Sequence, residues 1–178
     1  MIKKILIIII SVSIIPSVLM ADYPNTSIGV FDLNKIYSDA TAAIDAAEQI
    51  DIIANEFENE IKLEEEKIIK EQNSLIEAQS IMAPEAFEAK RIEYESKVQK
   101  FSNETQSKRL KVEELIAVSR KDILNAIKPI LEEISNEKGI TIIVDKSLIW
   151  LNAEKMDLTN EVLKKLNKSL PAIKVSRD

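Results

Sequence analysis

The chain has 178 residues, a net charge of −6, 30% charged residues and only 4% aromatic ones, which leaves room for one modest domain and excludes a large aromatic-rich core. It contains no cysteine and no histidine, so disulfides, thiol chemistry, Cys/His zinc sites and every histidine-based triad are excluded. No basic stripe runs along it, so nucleic acid is not an expected partner.

Met1–Ala21 reads as an export signal: Lys3 and Lys4, an apolar run from Ile5, then Pro16 and a small residue at Ala21, after which cleavage is expected. The run is shorter than the roughly 18–20 residues a spanning helix needs, so an uncleaved anchor is the weaker alternative. Asp22–Ser27 is a polar leader. Ile28–Phe31 reads as a short strand, and Asp32 or Asn34 can cap a helix that starts near Leu33. Ala40–Ala47 is alanine-rich, which suits close helix approach or simply helix propensity.

From Thr41 to Lys138 there is no glycine, and proline occurs only at Pro84 and Pro129. One heptad row is apolar throughout: Ala47, Ala54, Ile61, Ile68, Leu75, Met82. Its companion, Ala43, Ile50, Phe57, Glu64, Glu71, Ala78, is interrupted by two glutamates, which would loosen the middle of the arm. Beyond Pro84 the pattern resumes with Phe87, Tyr94, Phe101 and Leu115, accompanied by Val98 and Val112. Pro84 with Glu85 reads as the start of a second helix, so 41–138 is expected to be a helical hairpin with its tip near 81–87. Helices over Ala40–Ile81 and Glu85–Lys138 would each be roughly 60–80 Å long. A bend is expected at Pro129. The first arm carries 11 acidic and 3 basic residues over 40–80, and the second carries 11 of each over 85–138.

Lys138 and Gly139 end the second arm. Ile140–Val144 and Leu148–Leu151, the latter with the single tryptophan, read as two strands of a β-hairpin across Asp145–Ser147. Asp157 or Thr159 should cap a last helix over Asn160–Asn167. The expected fold is therefore mainly α with a small β body, from which a long antiparallel, coiled-coil-like hairpin projects. The body is 22–40 plus 139–178, and its candidate core is Ile28, Val30, Ile142, Val144, Trp150, Val162, Leu163 and Leu166. So small a body needs partner subunits to complete its core. Asp145, Asp157 and Glu161 read as turn and helix-start residues, and neither a metal site nor a cofactor site is expected.

Ile28–Ile36, the charged hairpin, Ile142–Ser147 and Asp157–Asn167 together resemble the Skp/OmpH family of periplasmic chaperones, in the same order along the whole mature chain. The resemblance implies a homotrimer whose strands build a trimerisation body and whose arms surround a cavity. It implies a holdase, independent of ATP and metal, that keeps unfolded outer-membrane β-barrel proteins from aggregating until the membrane assembly machinery receives them. Its acidic charge sets this chain apart from basic members and argues against lipid or lipopolysaccharide contact. Candidate client-binding residues are Phe57, Ile61, Ile68, Leu75 and Met82 on the first arm, with Phe87, Tyr94 and Phe101 on the second. For each, plain arm-to-arm packing is the alternative. At the level of the whole protein the alternative is a structural coiled-coil protein of the envelope without client binding. A carboxylate enzyme is disfavoured, since no paired acids fall in a plausible cleft.

Overall fold

Two four-residue strands, far apart in sequence, bring the ends of the chain together. The computed structural model describes residues 26–177, and the export segment expected over Met1–Ala21 lies outside them. Strand β1 (Ile28–Phe31) pairs in parallel with β2 (Ile142–Asp145), Ile28 opposite Ile142 and Phe31 opposite Asp145. Parallel strands need a long crossover. Here the crossover consists of α1 (Leu33–Asp39), α2 (Thr41–Ala78) and α3 (Pro84–Lys138).

The expected β-hairpin does not form. Asp145 accepts a hydrogen bond from Ser147 N at 2.7 Å and turns the chain into a single 3₁₀ turn, Lys146–Leu148, so it cannot fold back along β2. After a second 3₁₀ turn (Glu154–Met156) the chain instead reaches β1, where Asp157 bridges Val30 and Leu158 N donates to Val30 O at 2.7 Å. A Cβ on Gly29 would come within 2.6 Å of Leu158 Cδ1, so a larger residue there would have to push that side chain aside. The last helix, α4 (Thr159–Ser169), starts one residue earlier and runs two residues further than expected. Asp157 accepts from its Thr159 N at 2.9 Å, while the buried Thr159 hydroxyl accepts from Asp32 N at 2.9 Å and ties α4 to the end of β1.

Residues expected in the core of the body fall into two groups. Val30, Val162, Leu163 and Leu166 are buried, and Val144 is half-buried. Ile28, Ile142 and Trp150 are exposed, Trp150 completely so, and they take no part in the subunit's own core. The core also extends into the helices: Ala42, Ala43 and Ala46 at the start of α2 and Ile123, Ile127, Ile130 and Ile134 of α3 join it. The alanine run thus serves close packing.

The two long helices have 38 and 55 residues, about 57 and about 82 Å at 1.5 Å per residue. From Ile50 to Ala78 the inward side of α2 includes Ile50, Ala54, Phe57, Ile61, Glu64, Ile68, Glu71, Leu75 and Ala78, each buried or half-buried, and Met82 in the turn beyond it is half-buried as well. These are the two heptad rows of the sequence. Ala83 is extended and Pro84 takes the first turn of α3, so the chain reverses there. Pro129 lies inside α3, and the carbonyl it leaves without a donor belongs to Asn125, which like Pro129 faces solvent. Gly139 adopts φ 63°, ψ 34° and ends the helix, with Ile140 N donating to Ser135 O at 2.9 Å.

Candidate functional site: two grooves along the hairpin

Packing two helices side by side leaves a groove on each flank of their seam. On one flank the groove is open. It begins at Tyr37, Ala47, Ile116 and Arg120, passes Ala54 and Val112, and widens to about 760 Å³ between Phe57, Ile61, Lys62 and Arg109. Arg109 also lines its continuation along Val98, Phe101 and Thr105. The lining is mostly apolar with charged residues at the rim, a surface suited to many weak contacts.

The other flank is filled. After α4 the chain runs extended across it, with Ile173 buried in the core of the body. Val175 packs toward Ile50, Ile53, Phe57 and Leu115. Arg177 lies 4.6 Å from the centre of the Phe57 ring and pairs with Glu56 at 3.2 Å and Glu60 at 2.6 Å. The sequence carries one signal for this segment, the alternation Ile173, Val175, Arg177, a strand-like period of two.

Of the candidate client-binding residues, Phe57 and Ile61 reach the open groove and Phe101 its continuation. Leu75 and Tyr94 meet in a small cleft farther out. Ile68, Met82 and Phe87 are half-buried. The most exposed apolar side chains of the arm are others: Ile81 at the tip (84% exposed), Leu63, Ile76 and Ile92. They lie outside the heptad rows, so seam periodicity does not find them.

Charge also ties the arms. Lys108 pairs with Glu60 across the seam at 2.9 Å, and Lys97 with Glu71. Hydrogen bonds from Lys108 and then Arg177 hold the Glu60 carboxyl below its ordinary range. The hydrogen bonds that Lys97 donates to Glu71 and then Glu93 push its ammonium up. Glu71 is therefore a partnered seam residue, whereas Glu64 pairs with Lys67 of its own helix at 2.8 Å. The Thr105 hydroxyl sits in the seam with no hydrogen-bond partner, a weak point in the packing.

The acids that could suggest a metal each have another task. Asp145 and Asp157 cap turns, and Glu161 pairs with Lys138 at 3.2 Å. Among the described residues no acidic cluster suited to a metal ion occurs, and no helix is long and apolar enough to cross a membrane.

Comparison with known proteins places this geometry. Residues 27–166 match the model of the family described as outer membrane protein (OmpH-like). Among solved structures, an OmpH-like protein from Caulobacter crescentus CB15 has the same fold, with a TM-score of 0.77 at 13% identity over 88% of this chain and 92% of that one. A search of curated proteins found no match.

Proposed function

The chain belongs to the OmpH-like family, and from that premise we propose that it is an ATP-independent holdase chaperone of the periplasm, exported by cleavage of Met1–Ala21. Its clients are unfolded outer-membrane β-barrel proteins, which it keeps from aggregating and passes to the membrane assembly machinery. The Caulobacter relative is named as a candidate outer membrane chaperone, which supports the same direction. In this reading 22–40 and 139–178 form a trimerising body and 41–138 the binding arm.

The observation that carries the reading is the open groove, apolar along its floor and long enough to take an extended chain at several points. Each contact is weak, and many together raise the effective affinity without fixing a client sequence. Exposed Leu148, Trp150 and Leu151, beside a two-stranded sheet with Ile28 and Ile142 exposed, support a subunit contact at the body. An apolar surface of this kind is costly to leave in water.

Light scattering coupled to size-exclusion chromatography on residues 22–178 tests the proposal, with and without a urea-diluted barrel protein. The expected result is a trimer that elutes with the client in a soluble complex. A trimer that leaves the client to aggregate would favour a structural coiled coil, and a stable monomer would refute the trimerising body.

A further inference from the structure

We propose that the groove filled by residues 171–177 is itself a binding site for extended, unfolded chain that alternates apolar and polar residues, and that the C-terminal segment is its displaceable internal occupant. The proposal rests on the client-binding reading above and adds to it a second site on the opposite flank of the hairpin.

The groove holds its occupant by the backbone. Gln49 Nε2 donates to Ile173 O at 2.7 Å, and Gln49 Oε1 accepts from Val175 N at 3.0 Å. One turn earlier on α2, Asp45 accepts from Ile173 N at 3.3 Å and from Gln49 Nε2 at 2.8 Å, which fixes the direction of the Gln49 amide. Three main-chain groups along one edge of an extended segment are thus paired by two side chains of a helix. Main-chain pairing of this kind does not depend on the bound sequence. Side-chain selectivity is loose: Ile173 and Val175 point into apolar positions, while Ala172, Lys174 and Ser176, which alternate with them, are exposed. The last subsite, formed by Phe57, Glu56 and Glu60, takes a basic residue. Strands of outer-membrane barrels have this alternation, apolar on the lipid face and polar inward.

Two observations make the occupant displaceable. Only Ile173 of the segment is buried, and the Arg177 ion pairs are exposed, the kind that contribute least. As a tethered ligand the segment has an effective concentration on the order of millimolar. A single peptide competes poorly with that, but an unfolded chain that also engages the open groove has the same advantage.

The experiment has two arms, both on the full mature chain. In the first, a fluorescent peptide with the sequence of residues 170–178 is titrated into wild-type protein and into V175S/R177E, which weakens the internal occupant and leaves the groove intact. The double variant should bind the peptide at least about tenfold more tightly than wild type. Equal binding to the two, or none to either, overturns the proposal. In the second, hydrogen exchange at the Ile173 and Val175 amides is followed as a urea-diluted barrel protein is added. Loss of protection on capture is expected. Capture with those amides still protected overturns displacement and leaves the chaperone reading intact. No capture, with peptide still bound by the double variant, overturns the chaperone reading and upholds the groove as a site for extended chain.

Discussion

The base and the outer half of the hairpin are built from the same two helices, yet they pack differently. Near the base, Ile127 and Ile134 are fully buried, because α1, α4 and β1 close over the seam and the C-terminal segment fills one flank. Farther out each helix has only the other as partner. Ile68, Leu75, Tyr94 and Phe101 are half-buried, and Ile76 and Ile92 more than half exposed. Burial follows the number of neighbours a seam has. Heptad spacing aligns the side chains but does not cover them. The base can therefore act as a fixed anchor, while the outer arm, lightly packed and held in part by Lys97–Glu71, can change shape more readily.

The sharpest way to break this comparison is a pair of truncations. Ile127→Ala should cost about 2–5 kcal/mol, as expected for a cavity in a closed core, and Ile68→Ala only about 1 kcal/mol. Urea unfolding measures both, and equal losses would mean that the outer seam is packed as tightly as the base. An effect of about the same size as that of Ile68→Ala, but of opposite sign, is expected from Glu71→Leu. It extends the apolar seam while Lys97 keeps Glu93 at 2.9 Å, so the outer arm should gain about 1 kcal/mol. If adaptability matters, client capture should weaken in the same variant. Capture assays against unfolded barrel protein decide whether it does.

The smallest effect expected is on pH dependence. Glu60 titrates below its ordinary 4.5 in the folded chain because Lys108 and then Arg177 bond to its charged form. Its stabilising pairing is therefore complete above about pH 4.5 and is lost as pH falls through the lower folded value. Between about pH 6 and about pH 3.5 the melting temperature should fall, and slightly less in Glu60→Gln than in wild type. Identical pH profiles would remove Glu60 from the link between arm and tail.

Much of this architecture is legible in the sequence, for identifiable reasons. The two heptad rows, Pro84 and Gly139 state the hairpin and its ends, because helix pairing and helix termination are local physics. Strand pairing is not local. Leu148–Leu151 is as apolar as a strand, and only the turn set by Asp145 and the competing edge of β1 direct the chain elsewhere. The same limit applies to the candidate site. Periodicity assigns residues to the seam, but which flank is filled depends on Asp45 and Gln49 meeting a segment more than a hundred residues away. Exposure off the seam has no periodic signature, so the sequence does not single out Ile81 and Ile92.

The central claim, an anchored base and an adaptable outer arm, is tested most directly by hydrogen exchange resolved along α3. Amides around Ile123–Ile134 should exchange slowest and those around Phe87–Phe101 much faster, with the outer set slowing when an unfolded barrel protein is bound. Uniform protection from Pro84 to Lys138, unchanged by the client, would contradict it.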